Sequence, residues 1–231
     1  MTLAPAVPTA AYVRERWATG GPARLLRAAA WATVLEPLVR AFYRVRAEGV
    51  ANLEALRGPV LFAANHCAHL DTCFIIASLP WRWRSRLSVA ASASKIFGPR
   101  LFGLPMKGAL AALLGNAFPL ALPRGHPRDN LLTVMVAAGW SVLLYPEGRL
   151  CLSGTIERFR GGVGIVVIAT GAEVVPVRVA VDRPGLWEGN RFGRGDVRVV
   201  FGEPRRFGNE NPPSDVAREL EATVRSLGAW R

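Results

Sequence analysis

The stretch Asn65-His66-Cys67-Ala68-His69-Leu70-Asp71 decides how this chain is read. An apolar run, Pro59 to Ala64, precedes it, and another, Thr72 to Leu79, follows. The pattern is strand, sharp turn, helix, with His66 at the strand's C-terminal end and Asp71 at the helix start. Ligands and reactive groups in α/β proteins gather at such strand ends. Tyr145-Pro146-Glu147-Gly148-Arg149 ends another apolar run in the same way. The two turns are expected to lie side by side.

Outward from these turns the chain alternates between helix and strand patterns. Strands are predicted over Val60–Ala64, Arg86–Ser92, Ala117–Ala121, Ser141–Tyr145, Glu173–Val181 and Asp196–Phe201. Helices are predicted over Thr72–Leu79, Gly98–Leu114 (broken near Pro105), Asp129–Ala138, Glu157–Thr170 and Ser214–Leu227, with Asp129 or Asn130 as an N-cap and Gly139 as a stop. Asp182 to Gly195 reads as a loop. Strands separated by helices imply a single α/β domain with a mixed, mostly parallel sheet flanked by helices. That domain is taken as residues 46–231. Residues 1–45 form an N-terminal appendage, loose to about residue 20 and then helical from Pro22 to Val45. Pro37 should kink or split this helix. Its apolar stripe includes Trp31, Leu35, Leu38 and Phe42, edged by Arg24, Arg27, Arg40 and Arg44. Such a stripe suits a membrane interface, and it equally suits a cap on the domain's own core.

Half of the 231 residues are hydrophobic, which argues against disorder. The formal charge is +12, and Lys95 and Lys107 are the only lysines. An anionic partner follows: a membrane surface, a phosphorylated substrate or nucleic acid. Nucleic acid is the weakest of these, because zinc-finger spacing, RNA-binding aromatics and a basic helix with heptads are all missing. The three cysteines, Cys67, Cys73 and Cys151, make no disulfide framework and point to a reducing compartment. Residues 1–21 lack the order of a signal peptide. No uncharged run is as long as the ~20 residues a membrane span needs, and the longest, Asn130 to Pro146, is split by Gly139, so peripheral attachment at the cytoplasmic face is expected.

A histidine has an unperturbed pKa of ~6.5, nearest to neutrality of any side chain. Next to a carboxylate it can take the proton of an attacking alcohol, an aid worth ~10²–10⁴-fold. Asp71, five positions on and past a tight turn, can fold back onto the other ring nitrogen. His69 is a rival base that spacing does not exclude, and Asp71 also suits a helix N-cap. Cys67, His69 and Asp71 beside His66 resemble metal ligands, but no second cluster completes a shell, so no metal is expected. Gly148 allows close backbone approach to a ligand. Arg124, Arg158 and Arg160 follow successive strands, and the glycine run Gly161-Gly162-Val163-Gly164 opens a helix whose N-terminus can hold an anion. Glu147 is better placed to orient arginines or backbone amides than to meet an anion.

At these residues the sequence resembles the 1-acylglycerol-3-phosphate acyltransferase family. Asn65, His66 and Asp71 match its Asn-His-x4-Asp motif. Gly115 to Pro119 with Arg124 resembles its second motif. Tyr145, Pro146, Glu147 and Gly148 match the start of its Phe-Pro-Glu-Gly-Thr-Arg-Ser motif. Phe159-Arg160-Gly161-Gly162 and Val174-Val175-Pro176-Val177 are similar to two later elements, and Lys95 stands where the family often has lysine. The resemblance covers roughly residues 45–204, and several motifs in order are far more specific than one.

The resemblance implies transfer of a fatty acyl group from acyl-CoA or acyl carrier protein to the free hydroxyl of a lysophospholipid, with no bound cofactor. His66 would be the base and Asp71 its partner. Lys95, Arg124, Glu147, Gly148, Arg149 and Arg160 would bind substrate. The third motif departs from the family: Leu150 replaces its arginine, Arg149 sits one residue early, and Cys151 replaces its serine. The acceptor is therefore open between 1-acylglycerol-3-phosphate and another lysolipid such as lyso-ornithine lipid. A non-catalytic lipid-surface protein of the same fold is the rival reading.

Overall fold

The central strand of the sheet is the five-residue segment Val60–Ala64, every residue of which is buried. In the computed structural model, residues 17–92, 96, 106–120, 131–152, 155–181 and 195–228 are described. The strands are β1 (Tyr43–Glu48), β2 (Val60–Ala64), β3 (Leu87–Ser92), β4 (Phe118–Leu120), β5 (Ser141–Leu144), β6 (Glu173–Val181) and β7 (Gly195–Phe201). The helices are α1 (Gly21–Ala30), α2 (Glu36–Phe42), α3 (Asp71–Ser78), α4 (Trp81–Arg84), α5 (Met106–Gly115), α6 (Leu131–Ala137), α7 (Gly162–Thr170) and α8 (Pro213–Ser226). The seven strands run in the order β1-β7-β6-β2-β5-β3-β4. All neighbours are parallel except β6 and β7. The expected single α/β domain with a mostly parallel sheet is the observed one.

Alternation along β2 divides the core. Val60, Phe62 and Ala64 pack on one face with Trp31, Phe74, Trp83 and Phe201. Leu61 and Ala63 pack on the other with Leu132, Met135, Val167 and Leu220. A strand covered on both faces has to be apolar throughout, which is why β2 reads as an unbroken run.

Some boundaries differ from expectation. The N-terminal helix ends at Phe42, and Tyr43–Glu48 is an edge strand paired in parallel with β7. Tyr43 and Val45 fit a helical period as well as a strand period, and no Gly or Pro marks the change. Pro37 does not split the helix in two. A π turn over Trp31–Leu35 precedes it, in which the Glu36 amide donates to the Trp31 carbonyl five residues back. The wider turn accommodates a proline that cannot donate to the ladder. Glu157–Thr170 is helical only from Gly162, and residues 157–161 form a loop beside the β5 turn. The short helix α4 was not anticipated. The predicted N-caps Asp129 and Asn130, residues 97–105 and most of the 182–195 loop lie outside the described residues. Among the described residues no helix is long and apolar enough to cross a membrane.

Helices α7 and α8 touch where Gly164 faces Pro213, and a Cβ on Gly164 would overlap the Pro213 carbonyl. Gly164→Ala must push the two helices apart. The expected loss is ~1–3 kcal/mol of stability, as for overpacked cores. A urea unfolding midpoint equal to that of the parent would contradict this contact.

Candidate active site

The turn after β2 is organised by one carboxylate. Asp71, the first residue of α3, is 0% exposed. Its Oδ2 accepts from the backbone amides of Cys67 (2.7 Å) and Ala68 (2.9 Å) and lies 2.9 Å from His66 Nδ1. A carboxylate at Nδ1 holds the ring proton there and leaves the Nε2 lone pair outward. The His66 side chain is 24% exposed, so this outer edge is accessible. His69 is exposed, and the Asp71 oxygens turn to His66 and the turn amides instead.

Asn65 fixes the turn from the other side. Its Nδ2 donates to the Val179 carbonyl (2.9 Å) and its Oδ1 accepts the Val179 amide (2.8 Å). The β2–β6 ladder stops at Ala64 paired with Val177. The Asn65 side chain thus supplies one further rung after the backbone has turned away. Nothing local in the sequence assigns Asn65 this task, because its partner lies far away in the chain.

The β5 turn meets the β2 turn directly, since β2 and β5 are neighbours. Glu147 is 3% exposed. Its Oε1 accepts the His66 amide (2.9 Å) and its Oε2 accepts the Glu157 amide (3.3 Å). The Cys151 amide donates to the His66 carbonyl (2.8 Å). Burial raises the Glu147 carboxyl above its ordinary value, against the opposing pull of the His66 and Glu157 amides. The Tyr145 ring stacks on the imidazole, with centroids 4.2 Å apart and planes 21° apart. The Tyr145 hydroxyl bonds Thr72 Oγ1 at 2.7 Å. The stacking and the Thr72 bond had no signal in the sequence beyond the motif position of Tyr145.

Gly148 has φ +70, and a Cβ there would lie 2.8 Å from Arg160 Nε. Glycine is needed for both reasons. Arg160 Nε donates to the Glu147 carbonyl at 3.1 Å. Arg160 also lines a cavity of about 450 Å³ together with Arg158 and Arg218, while Arg149 is exposed and paired with Glu157. Glu147, Gly148 and Arg160 therefore come together beside His66 and Asp71, and Arg149 turns outward. Lys95 and Arg124 lie outside the described residues. Among the described residues, no group of three or more His, Cys, Asp or Glu side chains is placed to hold a metal. The Cys67 thiol is pushed far up by burial and then by the Asp71 charge, so it stays a thiol near neutrality.

Residues 44–180 match the family model described as Acyltransferase. The chloroplastic 1-acyl-sn-glycerol-3-phosphate acyltransferase LPAT1 of Arabidopsis thaliana is 26% identical over 181 residues, covering 75% of this chain and 46% of that protein. The lyso-ornithine lipid O-acyltransferase of Pseudomonas aeruginosa is 27% identical over 148 residues, covering 62% and 50%. The chain spans about half the length of the curated relatives it matches. The crystal structure of the 1-acyl-sn-glycerophosphate acyltransferase of Thermotoga maritima shares the fold, with a TM-score of 0.55 at 20% identity over 84% of this chain and 78% of that one.

The raised Glu147 carboxyl sets a sign for pH dependence. A proton binds it more tightly in the folded protein than in the unfolded chain, where glutamate titrates near ~4.3. Its contribution to stability is full below that value and is lost as pH rises through the folded one. The stability of the parent relative to Glu147→Gln should therefore fall as pH rises from about 4 toward neutrality. Urea midpoints measured across that range check this, and a flat difference would contradict it.

Proposed function

The chain belongs to the acyltransferase family, and from that premise we propose that it moves a fatty acyl group from a thioester to the free hydroxyl of a lysolipid. The observation that carries this is the His66–Asp71 pair, 2.9 Å apart at a strand end with the outer edge of the imidazole accessible. His66 Nε2 takes the proton of the acceptor hydroxyl as its oxygen attacks the thioester carbonyl. The tetrahedral intermediate collapses, the C–S bond breaks, and the departing thiolate takes the proton from the imidazolium. Asp71 keeps the proton on Nδ1 and stabilises the positive ring. Glu147 and Asn65 act through the backbone of the turn, as positioning residues.

The donor in this reading is acyl-CoA or acyl carrier protein. The acceptor is 1-acylglycerol-3-phosphate, with its phosphate met by arginines such as Arg160, and Arg124 and Lys95 as further ligands. A second acceptor, lyso-ornithine lipid, is supported by the Pseudomonas aeruginosa relative and by the departures at Arg149, Leu150 and Cys151. Attachment to a membrane surface is supported by Val34, Leu38 and Phe42, which share one helical face and are 57%, 51% and 38% exposed.

Purified protein given each donor with a panel of lysolipids should acylate at least one acceptor. His66→Ala should lower kcat by ~10²–10⁴-fold, and Asp71→Asn should also lower it while the thermal unfolding of both variants shows a folded domain. Turnover in His66→Ala equal to the parent, or no transfer to any acceptor, would end this reading.

A further inference from the structure

Helix α1, α3, α4 and the end of α5 enclose a second cavity, of about 260 Å³, whose lining includes Arg24, Arg27, Arg84, Trp31, Trp81 and Leu25. It is remote from the site just described. Leu87 of its wall pairs with Ser141, the neighbour of the residue paired with Leu61. His66 lies some five residues further along the strand direction, on the order of 15 Å away.

The cavity has three guanidinium groups on its wall and no carboxylate among the described residues that line it. Arg27 is committed to the carbonyls of Ala18, Ala112 and Leu113. Arg84 meets Glu36 and the carbonyls of Ala77 and Leu79, but its Nε is buried with no partner. Arg24 Nε is likewise buried with no partner, its guanidinium lying 5.9 Å from the Trp140 ring centroid. Apart from Ser85 and the glycines Gly21 and Gly115, the rest of the wall is apolar, and two of its members, Leu25 (75%) and Trp81 (60%), are widely exposed.

We infer that this cavity binds the phosphate headgroup of an anionic lipid. Charge complementarity selects the head: Arg24, Arg27 and Arg84 bring positive charge to a wall with no carboxylate among its described residues. Size selects a partial fit. Pockets that take whole small molecules measure ~300–1,000 Å³, so this smaller volume takes the head and the start of a chain. The remaining chain lies outward along Leu25 and Trp81, whose exposed apolar surface gives it a route from a bilayer. The site is independent of the acyl-transfer reading, because none of its residues belongs to the His66 turn.

The test is calorimetric titration with dihexanoyl phosphatidate, dihexanoyl phosphatidylcholine and inorganic phosphate, carried out in the parent and in His66→Ala. A phosphatidate binding event should survive His66→Ala, and Arg24→Gln should weaken it by about tenfold or more. Ala28→Leu, which fills the cavity while keeping every arginine, should abolish it. Both variants should keep parent-like thermal unfolding and parent-like turnover. Equal binding of phosphatidylcholine, or phosphatidate binding unchanged in both variants, overturns the site. Inorganic phosphate binding as tightly as phosphatidate overturns its assignment to a lipid. Loss of turnover in His66→Ala leaves this binding untouched, so the two readings fail separately.

Discussion

A fully buried carboxylate is the constraint on which the site depends. Removing Asp71 from water costs several kcal/mol unless its lone pairs are met. Here two turn amides and the His66 ring converge on one oxygen, and the start of helix α3 favours negative charge as well. The turn cannot relax without leaving that charge uncompensated. The conformation of the turn and the orientation of the imidazole are thus set by the same set of hydrogen bonds.

The second turn is built on the same logic with the opposite emphasis. Glu147 spends its oxygens on the amides of His66 and Glu157, and so ties the β2 turn to the loop that leads into α7. Tyr145 stacks on the imidazole and reaches Thr72, the residue after Asp71. Each of the two turns therefore holds a group that orients the other. This is possible only because β2 and β5 are hydrogen-bonded neighbours, although they are far apart in the chain. The parallel sheet, buried on both faces, is what turns two sequence motifs into one site.

What was legible in the sequence follows the strength of the local signal. Val60–Ala64 is legible to the residue because a strand covered on both faces is a continuous apolar run, and Glu173–Val181 because its valines outweigh the single Arg178 between turn formers. His66 and Asp71 were readable as a pair because the turn between them is short. Strand β1 was not, since an edge strand that follows a helix directly keeps an apolar spacing common to both. Residues 157–161 fit a helical pattern because nothing local reveals that the Glu157 amide is claimed by Glu147. The Asn65–Val179 rung was invisible for the same reason: it exists only once β2 and β6 are paired. Arg149 was grouped with the substrate ligands by its motif position, whereas Glu157 draws it outward.

The N-terminal helices were open to two readings, a cap on the core or a face toward lipid, and the polar contacts of α1 show why these are compatible. Helix α5 ends with carbonyls that have no partner within the helix. Arg27 takes those of Ala112 and Leu113, and the Trp31 indole takes that of Leu114 at 2.8 Å. Cationic and N–H donors at a helix C-terminus are favoured by the helix dipole as well. Trp31 is buried in the same core cluster as Phe62 and Phe74. One side of the N-terminal stretch is thereby fixed to the domain by directed bonds and core packing. The other side, carrying Val34, Leu38 and Phe42, has no such duty and is left apolar and exposed. A helix held only by apolar contacts would bury that stripe to gain stability. A helix held by a polar clamp can keep its stripe outward, and a rigid outward stripe is what a lipid surface requires of a protein that rests on it.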